Sequence, residues 1–398
     1  MKIILSLPRR VTKRQQQLFK ANVEFKTKSK ITKRTLAVSE AFGIGVDDEK
    51  TFPVFRNFEL DLKRGNVLLI TGDSGSGKST LLREISEQVE HAGQKEFPYG
   101  LVSNESVNPD PDEILIEGIG KDVIEAISIL SMAGLNEAFL MLRKYKQLSD
   151  GQKYRYRLAK MIDSEASVWL FDEFAALLDR VTAKVVSYTT QKTARKLGKT
   201  LVLATTHEDI LLDVKPDVWV RKGFGDSVRV ERYAEGTFAP GCSLFSQSLV
   251  VERCESKDLK GLERFHYRNS MSAGPLRACF RALINGELAG GIVYLYPHMG
   301  LRGRKFVMPE LEEIRKKEGL SAYLHKINRE VSRISRVVVL PKFRSIGLGA
   351  EIVKKTLPLI DTKYVETLAV MAKYNPFFEK AGMKRVELPE DKKFEASL

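Results

Sequence analysis

The sequence predicts an α/β protein in two parts, a phosphate-loop domain followed by a smaller α+β domain. Three observations carry this. The apolar run Val67-Leu68-Leu69-Ile70 enters Gly72-Asp73-Ser74-Gly75-Ser76-Gly77-Lys78-Ser79-Thr80, and Leu81-Leu82-Arg83 continues as a helix. Two further apolar runs, Val168 to Phe171 and Leu201 to Ala204, end in polar residues, Asp172-Glu173 and Thr205-Thr206-His207. Beyond a linker, a second strand, glycine turn and helix recurs from Ile334 to Leu357.

The first loop is a complete G-x-x-x-x-G-K-[ST]. Its glycines let backbone N–H groups converge on an oxyanion, Lys78 reaches the terminal phosphates, and the Ser79 hydroxyl faces a magnesium ion. An idle turn would need neither the lysine nor the hydroxyl.

A chain of 398 residues is long enough for two hydrophobic cores, and its 43% hydrophobic and 29% charged content is that of a globular protein. The net charge of +14 is unevenly spread: residues 1–34 hold eleven basic side chains against Glu24, which leaves only +4 for the rest. A basic arm of that density attracts phosphate backbones or an anionic surface, although a solvated basic strand pair or a disordered leader reads the same way. Three scattered cysteines, Cys242, Cys254 and Cys279, argue against a disulfide framework or a zinc cluster. No apolar run approaches the ~20 residues of a membrane helix, and Arg9-Arg10 interrupts the apolar start, so a cytoplasmic location is expected.

Taken in order, residues 35–66 alternate apolar stretches with turns and read as strands, residues 80–92 as a helix and 99–103 as a strand. Asn108-Pro109-Asp110-Pro111 must be loop, and a mainly helical stretch follows from Asp122 to about Lys144. Then comes Leu148-Ser149-Asp150-Gly151-Gln152 ahead of a helix, followed by the carboxylate pair, by Leu178-Asp179, and by the strand ending at His207. Asp172 can hold magnesium, Glu173 can orient or deprotonate the attacking water, and His207 can hydrogen-bond the γ-phosphate.

In this order the signals resemble the ABC-type ATPases over residues 35–234. The resemblance implies ATP and Mg2+ as cofactors and an ATP-dependent homodimer, with Ser149, Gly151 and Gln152 facing the γ-phosphate on a second copy and Asp179 at the seam. It also implies an aromatic on adenine, placed at Phe42. One departure stands out: the family's glutamine after the second core strand is absent, since no glutamine lies between Lys95 and Lys146. Asn104, Glu105 or Asn108 would have to take its place.

After a linker at 235–244, residues 245–398 change character. Leu249 to Glu252 is strand-like, Leu259 to Tyr267 helix-like, and Asn285-Gly286 marks a hairpin between Cys279 and Tyr296. The strand ending at Val338-Val339 runs into Arg344-Ser345-Ile346-Gly347-Leu348-Gly349 and a helix, an anion site without the lysine and hydroxyl of the first loop. With the strand-like 365–370 and Asn375-Pro376-Phe377-Phe378-Glu379-Lys380-Ala381-Gly382 behind it, this resembles the GNAT acyltransferases over about residues 245–388. The resemblance implies that acetyl-CoA lies on Arg344 to Gly349, with Val338 and Val339 along pantetheine and Asn375 and Phe378 nearby. Phe378 stands where the family often has the tyrosine that protonates the thiolate, and Tyr374 is an alternative; Glu330 and His266 are candidates for a base.

The whole chain thus resembles ABC-type ATPases fused to an acetyltransferase domain. The expected function is ATP hydrolysis coupled to acyl transfer from acetyl-CoA, onto a nucleic acid or a substrate bound to one. The competing readings are a nucleic-acid clamp whose second domain only binds, and a protein or small-molecule acetyltransferase gated by ATP.

Overall fold

The computed structural model describes residues 16–27, 30–43, 45, 50–97, 99–265, 274–301, 303–368 and 376–386. In chain order the elements begin β1 (Gln16–Thr27), α1 (Lys33–Phe42), β2 (Lys50–Lys63), β3 (Val67–Thr71), α2 (Lys78–Glu96) and β4 (Leu101–Ser103). They continue α3 (Val123–Met132), α4 (Ala138–Met141), α5 (Asp150–Asp163), β5 (Val168–Phe171), α6 (Arg180–Leu197) and β6 (Thr200–Thr205). Next come α7 (Leu211–Val214), β7 (Val218–Lys222), β8 (Val228–Arg232), α8 (Ser243–Ser248), β9 (Leu249–Arg253), β10 (Leu276–Ile284) and β11 (Glu287–Leu295). The last are α9 (Arg304–Val307), α10 (Pro309–Lys317), α11 (Gly319–Glu330), β12 (Val331–Val339), α12 (Leu348–Thr356), β13 (Tyr364–Thr367) and α13 (Phe377–Lys380).

Two compact units emerge: Met1–Glu113 with Lys144–Pro240, and Ile114–Arg143 with Gly241–Leu398. The first contains a six-stranded sheet in the order β4-β5-β6-β3-β7-β8, parallel except for β8. Parallel strands carry helices on both faces, so their side chains are buried on both sides. Accordingly β3, β5 and β6 are buried along their whole length. Burying a single Leu or Ile of these strands contributes about 2 kcal/mol.

Residues 16–27 belong to this unit: β1 pairs antiparallel with β2, and Phe19 and Ala21 enter the core with Phe55, Leu60 and Leu82. Its lysines face outward, Lys20 pairing with Glu59 at 2.9 Å. Within the expected arm of residues 1–34, residues 16–27 are thus a strand of this unit; residues 1–15, 28 and 29 lie outside the described residues. The mainly helical stretch after Asp122 is divided into α3 and α4. Asp122 caps α3 through the Glu125 amide, but Gly134, at φ 86°, lies between α3 and α4.

The second unit is built on the sheet β13-β12-β11-β10-β9, antiparallel apart from the parallel pair β12 and β13. Asn285 and Gly286, at φ 53° and 77°, make the hairpin turn between β10 and β11. Residues 114–143, expected within the first domain, pack with this second unit. Ser256 to Phe265 forms a 3-10 run over most of the stretch expected to be helix-like, Leu259 to Tyr267, whose last two residues lie outside the described residues.

Candidate functional site

The C-terminal ends of β5, β6 and β3 are neighbours, so the carboxylate pair, the Thr206-His207 segment and the glycine loop all leave the sheet on one edge. A cavity of about 610 Å3 opens there, lined by Ser74 to Thr80, Asp172, Glu173, Thr205 and Thr206. Two glycines of the loop are sterically obligatory. A Cβ on Gly72 would collide with the Lys222 carbonyl oxygen, and one on Gly77, at φ 107°, would collide with Val54. The amides of Gly75, Gly77, Lys78 and Ser79 donate to no protein acceptor among the described residues, which leaves them for an anion.

Lys78 is buried, and its ammonium donates to the Gly72 and Asp73 carbonyls at 2.8 Å each. Burial lowers its pKa, while Asp172, Asp73 and Glu173 counter that shift. The loop is anchored from behind: Trp219 donates to Thr71 Oγ1 at 2.9 Å, and Thr71 in turn donates to Glu208 at 2.9 Å. Neither anchor was signalled by a motif. Lys222, buried beside the loop, donates to the Gly223 and Gly225 carbonyls.

The carboxylates sit on a tightly held turn. Glu173 and Ala175 take left-handed backbone, φ 49° and 59°, a costly conformation for residues with a Cβ, fixed by the Phe174 amide donating to Ala204. Asn104 brackets the turn, accepting from the Asp172 amide at 3.0 Å and donating to its carbonyl at 3.3 Å. Its amide group is thereby engaged with backbone, and neither it nor Glu105 or Asn108 is among the cavity-lining residues. Ser79 and Asp172 share the cavity, so a hydroxyl and a carboxylate suited to Mg2+ face the same space.

The remaining expected residues of this unit lie elsewhere. Ser149 and Gln152 form a capping box at the start of α5, the Ser149 amide donating to Gln152 Oε1 at 3.0 Å. Gly151 lies beside Leu178, and Asp179 caps α6 by accepting from the Thr182 amide. The His207 amide donates to Thr205 Oγ1 at 3.2 Å; burial and nearby Arg180 lower its imidazole pKa and favour the neutral ring. Phe42 requires a correction. It ends a solvent-facing helix with no buried residue, is 76% exposed, and is not part of the cavity lining. The aromatics at the cavity are Phe25 and Phe52, a cross-strand pair on β1 and β2. Their period-2 spacing with Phe19 and Val54 was the available signal.

In the second unit, among the described residues, β12 pairs with β13 as far as Ile334 and Thr367, and β12 runs on through residues 335–339. A bulge at Ser335, against Val293 and Tyr294 of β11, lies just beyond that pairing. Val338 and Val339 pair with Gly291 and Gly290 on one side and lead to the second glycine loop. There the amides of Ile346, Gly347, Leu348 and Gly349 donate to no protein acceptor among the described residues. Phe377 of α13 lies over Gly349, 3.5 Å from where a Cβ would stand, and Phe378 is buried beside it.

Two side chains of this loop are already engaged. Arg344, expected on the coenzyme, donates from Nε to the Val339 carbonyl at 2.9 Å and pairs with Glu137 at 3.1 Å. Ser345 donates to the Ser131 carbonyl at 2.9 Å and accepts from Asn136 at 3.3 Å. An anion at this loop would therefore meet backbone. Glu330 is a poor base, because Lys326 at 2.6 Å holds its carboxyl below the ordinary range. His266, Tyr374 and Asn375 lie outside the described residues. Sequence reading missed a polar cluster: buried Arg304 binds Glu366 through Nε and Nη2, and Arg333 contacts His298 Nε2.

No helix among the described residues is long and apolar enough to cross a membrane. The family profile for ABC transporters matches residues 55–176. The cytochrome c biogenesis ATP-binding export protein CcmA of Agrobacterium fabrum is 30% identical over 200 residues, which are 44% of this chain and 90% of that protein. The sn-glycerol-3-phosphate import ATP-binding protein UgpC of Yersinia pseudotuberculosis is 29% identical over 185 residues, 40% of this chain and 50% of that protein. The chain spans only 33% of a similar protein from Vibrio vulnificus. A dimeric bacterial ABC transporter cassette superposes with a TM-score of 0.40 and 21% identity, over 54% of this chain and 98% of that one. Profile and relatives converge on the stretch that holds the glycine loop and the carboxylate pair, and through it the chain belongs to the ABC transporter ATPase family.

Proposed function

We propose that the first unit binds MgATP in the 610 Å3 cavity and hydrolyses it between two copies of the chain, and that the second unit transfers an acyl group from acetyl-CoA. The observation that carries the first half is the meeting of the loop amides, Lys78, Ser79, Asp172 and Glu173 on one cavity with Phe25 and Phe52 at its edge. In this reading the amides and Lys78 bind the phosphates, the two phenyl rings hold the base, and Glu173 orients the attacking water. Ser79 and Asp172 would hold Mg2+, which neutralises phosphate charge. Ser149, Gly151, Gln152 and Asp179 lie outside their own copy's cavity lining, as a site completed by a second copy requires. His207, neutral by its environment, can donate to the γ-phosphate from one ring nitrogen.

The second half rests on the parallel strand pair β12 and β13 of the second unit, the bulge at Ser335 beyond it, and the amide-lined turn after that. That sequence of features supports a pantetheine along β12 and a diphosphate on residues 346–349. The acceptor amine would attack the thioester carbonyl; the C–S bond breaks, the thiolate leaves, and the amine loses its proton to solvent or to a base. A binding module without chemistry is the second reading, favoured by the ion-paired Glu330 and by Phe378 in place of a phenol. A nucleic-acid acceptor rests on the net charge of +14, most of it on residues 1–34, of whose basic side chains β1 takes up only Lys20 and Lys26.

Glu173→Gln tests the composite ATP site: turnover should fall about a hundredfold or more while ATP still binds, and a dimer should accumulate on gel filtration. Only monomer with ATP would refute the two-copy site. Calorimetry with coenzyme A tests the second unit, and no heat of binding would reject it.

A further inference from the structure

The second glycine loop is held by a segment that belongs, in sequence, to the middle of the ATPase region. Residues 114–143 leave the first unit at Glu113 and return to it at Lys144, yet they pack within the second unit. Three of them fix the loop: Glu137 on Arg344, and the Ser131 carbonyl and Asn136 on the Ser345 hydroxyl. Ser345 needs that support because its φ is 70°, a left-handed backbone that is unfavourable for a residue with a Cβ. The Arg344 side chain is only 12% exposed, so its guanidinium acts as an internal strut.

The ends of the segment are zipped together. The Leu115 amide donates to Arg143 and the Ile116 amide to Met141. Within the first unit, Asp112 takes both Lys144 and Lys146, and Glu113 accepts from Tyr156 and Lys160 of α5. The helix that begins at Ser149-Asp150-Gly151 is thus fastened to the root of the segment.

We infer that residues 114–143 are a brace that ties the anion-binding conformation of the 344–349 loop to the nucleotide state of the first unit, with Glu137 and Asn136 as positioning residues. This rests on the two-site reading above and adds its regulation. A shift of α5 on ATP binding moves the root of the brace; Glu137 and Ser131 move with it, and the loop amides lose or gain their arrangement for a diphosphate. By linkage, coenzyme A must then alter ATP affinity by the same factor.

The test uses the full chain. Coenzyme A affinity is measured by calorimetry with and without magnesium AMP-PNP, and amide hydrogen exchange of residues 345–349 is followed in parallel. In the wild type both should respond to AMP-PNP, the affinity by about threefold or more. Glu137→Ala should abolish both responses. Asn136→Ala removes the amide contact to the Ser345 hydroxyl and leaves the loop's own residues in place, so it should weaken both responses; Glu137→Asp should restore part of what Glu137→Ala loses. Loop exchange indifferent to AMP-PNP in the wild type, or a full response in Glu137→Ala, would overturn the brace. Should coenzyme A fail to bind while the exchange response is present and depends on Glu137, the brace stands and the acyl-CoA reading falls. Should coenzyme A bind with no exchange response, the acyl-CoA reading stands and the brace falls.

Discussion

The loop after β3 and the loop after β12 solve one backbone problem and differ in what surrounds the solution. Both follow a strand, turn on glycines and present unpaired amides at a helix start. Around the first, a buried lysine and two carboxylates share the cavity, so charge of both signs stands ready. Around the second, the one arginine is turned away into Val339 and Glu137, and the amides are left to act alone. The comparison teaches that a strand-turn-helix provides anion binding, while the side chains brought by neighbouring strands decide whether chemistry follows.

Four experiments would break or sharpen it, in falling order of effect. Lys78→Ala should cut ATP turnover about a hundredfold or more, as loss of a charged donor aimed at phosphate does, with coenzyme A binding retained; steady-state phosphate release checks it. Unchanged turnover would dissolve the distinction between the loops. Gly347→Glu sets a Cβ at φ 95° and a negative charge against a diphosphate, so coenzyme A affinity should drop about tenfold or more in calorimetry while ATP binding is unaltered. Phe52→Ala removes half of the Phe25 and Phe52 pair and should weaken ATP binding about fivefold, measured with a fluorescent analogue.

The smallest effect concerns acid. Lys146 and Lys144 pull the Asp112 carboxyl down to about 2 from an ordinary value near 3.8. A carboxyl lowered in the folded state contributes stability that is present above pH ~4 and lost as pH falls through the folded value. Asp112 is fully solvated, so the contribution is small. Asp112→Asn should slightly flatten the loss of stability between pH 4 and 2, read from urea midpoints across that range; an unchanged slope would detach this ion pair from the brace's root.

The sheets were legible where burial writes itself as composition. Val67 to Ile70, Val168 to Phe171 and Leu201 to Ala204 are continuous apolar runs because both faces are covered, and each proved a central strand. Asn285-Gly286 was legible because few other residues adopt that turn. What escaped was set by packing between distant segments. Lys20, Glu24 and Lys26 made β1 look like an arm, while Phe19 and Ala21 carried its inward face. The lysine, hydroxyl and carboxylates of the first cavity could be named from local spacing, but Phe25 and Phe52 meet only through the β1-β2 register. Nothing near residues 114–143 in sequence indicates that Glu137 meets Arg344, far along the chain beyond the eight strands β5 to β12.

The hairpin of β1 and β2 has a practical corollary. The family profile begins at residue 55, and a fragment cut there would keep the glycine loop, Lys78 and the carboxylate pair while discarding Phe25, Phe52 and the inward-facing Phe19. Such a truncation would leave an apolar gap over α2 and a nucleotide pocket without its aromatic wall. Inactivity of that fragment would speak to its missing strands and say nothing about the loop itself.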